Sequence, residues 1–189
     1  ATKFGFEYCT TEYQALLDDD RIDAIFIATR HSTHAEFAIR ALRAQKHVFV
    51  EKPMVVTNEQ LDGLRSAYED AQADGHTGMM VGLNRRFAPM VQKMNDALPS
   101  NAPKQLLYRV NSGPKDPDSW LYRAEEGGGM LVGEMVHFVD LMQGMSGAQP
   151  TRVYADSLRL GRADRVETDN LTLTLTFEDG STGTLCYNT

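Results

Sequence analysis

Cysteine and tryptophan are nearly missing from this 189-residue chain, which has two of the first and one of the second. Cys9 and Cys186 stand near opposite ends with no C-x-x-C spacing. That excludes a disulfide framework and a cysteine-built zinc site, and it fits a reducing, cytoplasmic setting. Basic charge is also scarce: 19 Lys and Arg face 26 Asp and Glu, for a net charge of -7. Nonspecific nucleic-acid affinity needs concentrated positive charge, so the balance argues against a phosphate-backbone binder and a small neutral or polar ligand is expected. No apolar run comes near the roughly 18 residues of a membrane span, and no basic-then-apolar leader opens the chain. Internal repeats and low-complexity segments are lacking too.

What the chain does hold is apolar material, 42% by count, and a change of pattern part-way along. The first half alternates strand and helix signals, as a helix-covered parallel sheet does. "IDAIFIAT" (22–29) is nearly continuous in apolar and β-branched residues, which predicts a strand buried on both faces. Ser32 is then placed to cap a helix whose Ala35, Ala38, Ile39 and Leu42 recur at helical spacing. "HVFVEKP" (47–53) reads as the second strand. Thr57 and Gln60 form a capping box for a helix carrying Leu61, Leu64, Tyr68 and Ala71, which Gly75 stops. "TGMMVGLN" (77–84) is the third strand.

Beyond it the period changes. A helix runs from about Pro89 to Leu98 and "PSNAPK" ends it. "QLLYRVNSG" and "RVYADSLRLG" read as strands, and "NLTLTLTFEDGSTGTLCYNT" alternates Leu and Thr at period two around an Asp179-Gly180 hairpin turn. The expected class is α/β: a parallel-sheet domain over residues 1–84, then an α+β domain over 85–189 with an open, mostly antiparallel sheet. Ala1 stands in place of an initiating Met, "ATKFG" reads as the tail of a helix, and "TLCYNT" stops inside a strand. The expectation is a piece of a longer chain, whose last strand is an edge that pairs with further residues or another subunit.

Three clusters can do chemistry. Lys52 follows a strand at the carboxyl edge of a parallel sheet, where ligands gather, and Pro53 restrains the geometry in which it leaves. It can hydrogen-bond a substrate hydroxyl or carbonyl; the plainer alternative is a lysine that reaches solvent as the strand emerges. In "EEGGGMLVGEMVHFVDLM" (125–142) three glycines precede a helix whose Glu134 and His137 are i, i+3 neighbours. Gly133 inside that helix costs about 1 kcal/mol relative to alanine, so a close approach to the backbone is expected there. Glu134 and His137 can form a proton relay, with His137 titrating near neutrality; the alternative is a core-flanking helix with an incidental histidine. In "ATRHSTHAE" the residues Thr29, His31 and Ser32 lie where a strand feeds a helix N-terminus. Arg85 and Arg86 of "NRRF" can fork onto a phosphate or carboxylate, or bridge to acids. The spacings in "HSTH" and "EMVH" also admit a metal site, although the strand-end reading explains these histidines without one, and none is assigned.

Together, "IATRHSTHAEFAIRAL", "KHVFVEKPMVVTNEQ", "VGLNRRF" and "GGGMLVGEMVHFVDL" resemble the glucose-fructose oxidoreductase, inositol dehydrogenase and rhizopine catabolism (Gfo/Idh/MocA) family of nicotinamide-dependent sugar oxidoreductases. The resemblance implies an N-terminal Rossmann domain that binds NAD or NADP and a C-terminal α/β domain that shapes the sugar site and the homo-oligomer contact through its sheet. It implies catalytic roles for Lys52 and His137, with Glu134 as a candidate carboxylate, and cofactor contacts by Thr29, His31, Glu51 and Arg86. The chain departs from the pattern in three places. The usual Asp four residues before the histidine is Gly133, with Glu134 one residue on, which on an α-helix is a rotation of about 100°. The usual Pro of the first segment is Arg30. These two features resemble a subgroup fused behind a zinc alcohol dehydrogenase-like half. No G-x-G-x-x-G occurs in the 189 residues, so the expected Rossmann domain is partial, lacking the βα unit that binds the pyrophosphate. The expected function is therefore a fragment of an NAD(P)-dependent oxidoreductase of a sugar, inositol or related polyol; the alternative is a non-catalytic ligand-binding or assembly module.

Overall fold

The computed structural model describes residues 2–73, 75, 78–99, 102–158, 161 and 169–189. A first sheet is made of β1 (Ala24–Ile27), β2 (His47–Val50) and β3 (Met79–Val81), parallel and in that order. A short α1 (Tyr13–Leu17) leads into β1, α2 (His31–Arg43) follows β1, and α3 (Asn58–Ala73) follows β2. Parallel neighbours need long crossovers, and these two helices supply them. They cover one face of the sheet, where Ile25, Ile27, Val48 and Val50 join Ala38, Leu42, Leu64 and Ala67 in a buried cluster.

Several local expectations are corrected. β1 is buried on one face only: Phe26 is 76% exposed and stacks on Phe49 at 5.2 Å, because no described element covers that side. Ser32 lies inside α2, whose N-cap is Arg30; the Thr33 hydroxyl donates to the Arg30 carbonyl at 2.8 Å and closes the first turn instead. The capping box of α3 is split. Gln60 N–H donates to Thr57 Oγ1 at 3.2 Å, but the Gln60 side chain accepts from Val56 N–H at 2.7 Å rather than from Thr57. At the far end of α2, Gln45 adopts φ 56°, and Lys46 N–H returns to Ala41 O at 3.0 Å. A glycine usually takes that left-handed position.

The second half contains α4 (Pro89–Ala97), β4 (Gln105–Asn111), α5 (Val136–Ser146), β5 (Pro150–Ser157), β6 (Leu171–Phe177) and β7 (Thr182–Asn188). Its sheet has the order β4-β7-β6-β5, antiparallel except for the parallel β4–β7 pair. The last strand was expected at an edge; it lies inside the sheet, between β4 and β6, because β4 reaches it by a long-range parallel pairing. The strand expected in "RVYADSLRLG" ends at Ser157, and residues 159–160 of that stretch lie outside the described residues, as do 77 and 100–101. Leu171, Leu173, Leu175, Phe177, Leu185 and Tyr187 form the buried face and meet Phe138 and Met142 of α5. Helix and sheet approach closely at Gly183, where a Cβ would come within 2.7 Å of Met142 Sδ. The opposite face carries threonines together with Leu107 and Tyr154, which are 76% and 71% exposed.

Candidate active site

β2 ends at Val50, and the next residues turn out of the sheet. Glu51 N–H still bonds to Ile27 O at 2.9 Å; Lys52 then leaves toward the second half, through a cis Lys52–Pro53 peptide. The half-buried Lys52 ammonium donates to Gly133 O at 2.5 Å and to Glu134 Oε1 at 2.8 Å. Both acceptors belong to a π-helical turn, Leu131–Met135, that runs directly into α5. A π turn inserts one residue into the helical winding. The one-residue displacement of Glu134 therefore does not carry it away from the lysine, as regular α-helical geometry predicts. Gly133 meets its own expectation of a close approach: a Cβ there would lie 3.3 Å from His31 Cε1.

His137, the second residue of α5, is 6% exposed, and its Nδ1 is buried without a hydrogen-bond partner among the described residues. Burial above all, and then the positive charges of Lys52 and Arg85, push its pKa below the usual histidine value. That shift favours the neutral ring, because desolvation disfavours the imidazolium. A neutral imidazole beside a carboxylate-anchored ammonium can exchange a proton with a hydroxyl.

The residues expected at a cofactor divide into two pairs. Thr29, just past β1, is exposed and shares a 2.7 Å hydroxyl contact with Thr33. Glu51 lies over Gly82, where a Cβ would sit 3.1 Å from its Oε2 and crowd the carboxylate. A hydroxyl and a carboxylate at the carboxyl edge of a parallel sheet fit the ribose hydroxyls of a nucleotide. His31 and Arg86 are engaged elsewhere. His31 Nδ1 donates to Gly127 O at 3.0 Å, and its ring meets Trp120 edge-on at 4.6 Å. Arg86 Nε donates to Asp140 Oδ2 at 2.8 Å and its Nη2 bonds the same carboxylate and the Asp140 carbonyl. Gly144 leaves room for that guanidinium against α5. His34 places Nδ1 2.7 Å from Pro53 O and Nε2 3.1 Å from Thr29 O, so neither ring nitrogen faces a vacant metal position. Sequence reasoning missed the Gly133 and Gly127 carbonyls, Trp120 and Asp140; the only signal for any of them was the misplaced glycine at 133. Beside Lys52 a largely apolar cavity of about 620 Å³ is lined by Val56, Leu83, Val132 and Val136.

A model described as the oxidoreductase family with an NAD-binding Rossmann fold matches residues 1–82, and the GFO/IDH/MocA C-terminal domain model matches residues 105–189. The chain belongs to the Gfo/Idh/MocA family. Similar members include an uncharacterized oxidoreductase, YrbE, of Bacillus subtilis, 32% identical over 96% of this chain and 53% of its own length. Myo-inositol 2-dehydrogenase of Thermotoga maritima is 28% identical over 97% of this chain and 54% of its own length. Among solved structures, levoglucosan dehydrogenase in complex with NADH and levoglucosan superposes with a TM-score of 0.82 at 26% identity, covering 99% of this chain and 53% of that one. This Gfo/Idh/MocA chain thus spans about half the length of the curated relatives it matches. Among its described residues no helix is long and apolar enough to cross a membrane.

Proposed function

We propose that this chain carries the substrate-side chemistry of an NAD(P)-dependent oxidoreductase acting on a hydroxyl carbon of a sugar, inositol or related polyol. The observation that supports it is the Lys52–Glu134 ion pair, closed over Gly133 O, in the electrostatic neighbourhood of His137, whose Nδ1 has no hydrogen-bond partner among the described residues. With two of its three N–H groups held, Lys52 keeps one for the substrate oxygen and stabilises negative charge that develops there. The neutral His137 ring takes the hydroxyl proton as the carbinol becomes a carbonyl, and returns it in the reverse direction. The nicotinamide, when bound, supplies the hydride acceptor or donor. Thr29 and Glu51 would hold its ribose; His31 and Arg86 are given no cofactor contact, since Gly127 and Asp140 hold them. The cavity beside Lys52 falls within the roughly 300–1,000 Å³ usual for small-molecule sites.

The test is nicotinamide turnover by the full-length protein over a panel of sugars and polyols. Lys52→Ala lowers kcat/KM by about 10²–10⁴-fold; undiminished turnover on the true substrate overturns the assignment. Gly133 alone favours a non-catalytic binding module, and a protein that binds sugar but stays redox-silent with either nucleotide would establish that reading. We further assign residues 1–84 to the cofactor side and 85–189 to the substrate side. The open sheet face around Leu107 and Tyr154 supports a homo-oligomer contact, checked by molar mass in solution with Tyr154→Arg. Arg30 and Gly133 support the subgroup fused behind a zinc alcohol dehydrogenase-like half, which the sequence preceding Ala1 in the full-length protein tests.

A further inference from the structure

His31 is the first residue of α2 yet only 7% exposed, and residues of the second half of the molecule pack against its ring. Its Nδ1 donates to Gly127 O at 3.0 Å, and Trp120 closes one side of the ring with its plane at 77°. The Cε1 edge points at the π turn, 3.3 Å from where a Gly133 Cβ would be. That separation is tighter than ordinary van der Waals contact, so any side chain at 133 pushes either the imidazole or the turn. Other bonds hold the same seam. Ser32 N–H donates to Glu126 O at 3.1 Å, and Arg30 lies over the Trp120 ring at 4.4 Å while pairing with Glu126 at 3.5 Å. The residue that receives the ring is also the one whose carbonyl accepts Lys52, and Glu134, its neighbour, is the other acceptor.

We propose that His31 is a positioning residue for the Lys52–Glu134 pair: its ring occupies the notch left by Gly133 and sets the winding of the π turn that presents both acceptors to the lysine. The proposal rests on the oxidoreductase reading for its kinetic consequence, but not for its structural one. It accounts for the first departure from the family pattern, Gly133 with Glu134 one residue on. A Cβ at 133 would crowd the imidazole at 31, and the carboxylate that reaches Lys52 is the one at 134. Trp120 and Gly127 act behind His31, as the wall and the anchor that keep the ring in the notch.

The experiment is a double-mutant cycle in the full-length protein with His31→Ala, Gly133→Ala and the two combined. Each single variant lowers kcat by about 10–100-fold, the cost of displacing reacting groups by around 1 Å, with KM for nucleotide unchanged. The double variant recovers turnover, because the new methyl group enters the space the ring has vacated. Single effects that simply multiply overturn the coupling. A raised nucleotide KM at constant kcat in His31→Ala overturns it too, by making His31 a cofactor contact. Should His31→Ala fail to fold, His31→Gln replaces it, keeping a donor for Gly127 O. Amide exchange across 130–137 separates the two readings: faster exchange in the His31 variant, by about tenfold or more, supports the positioning role even if Lys52→Ala leaves turnover intact and the redox reading falls. Unchanged exchange overturns the positioning role whatever the kinetics.

Discussion

The two sheets contribute to the site in opposite ways. The parallel sheet uses its edge: strands buried by α2 and α3 stop at one level, and Thr29, Glu51 and Lys52 project where they stop. The mixed sheet uses its face, because α5 lies across it and carries His137, while the π turn ahead of α5 brings Glu134 to the lysine. A strand end delivers a side chain in a direction set by the ladder behind it. A helix surface delivers one at an angle that depends on winding, and a single inserted residue resets that angle. The parallel half is thus the fixed partner, and the helical half is the adjustable one.

Removing the helical contribution has the largest expected effect. His137→Ala lowers kcat/KM by about 10²–10⁴-fold, as loss of a positioned proton acceptor does, while thermal melting shows the fold retained; an unimpaired enzyme would break the division of labour. Next come the two cores. Leu64 and Leu185 are 2% and 0% exposed, and each change to alanine costs about 2–5 kcal/mol. If the Lys52 and His31 bonds weld the halves together, denaturant unfolding remains a single transition in both variants. Two transitions, only one of them shifted, would show that the sheets unfold separately.

Protonation sharpens the contrast further. His31 and His137 both have pKa values lowered chiefly by burial. The stability they contribute is complete above the unfolded-state value of about 6.5 and is lost as pH falls from there through the lowered folded value. Denaturation across that window is expected to be less pH-dependent in His137→Gln than in the wild type. With His137 as the proposed proton acceptor, the acid limb of kcat/KM is expected to fall below the usual histidine value. The smallest effect belongs to the parallel half alone: Gln45→Gly removes a left-handed non-glycine residue and stabilises by about 0.5–1 kcal/mol, after the extra flexibility of the unfolded chain is subtracted. A destabilised Gln45→Gly would mean that the Gln45 side chain makes a contribution of its own.

Much of this was legible in the chain. Three apolar strands, the helices between them, and the Leu/Thr alternation of β6 follow from local patterning, because each depends on burial of one side or both. Lys52 was legible for the same reason, as a charge at the end of an apolar run. Its partner was not. Glu134 reaches Lys52 through a π turn held by contacts between residues 82 and 96 positions apart, and no local periodicity encodes them. The same limit hid which acid Arg86 bridges to, Asp140, and the interior place of β7. The open side of β1 was missed because an apolar run reports what the strand can bury, not what is there to cover it.

That interior place of β7 also sets a timetable for synthesis. Gln105 pairs with Thr182 and Asn111 with Asn188, so β4 leaves the ribosome long before the strand it must lie against. At about 5–20 residues per second the wait is roughly 4–15 s, during which β4 has no ladder partner and its apolar side chains, Leu106 and Tyr108 among them, have no sheet to join. A chaperone that recognises short extended apolar segments would find its target in β4 on the nascent chain, and would lose it at the moment β7 emerges.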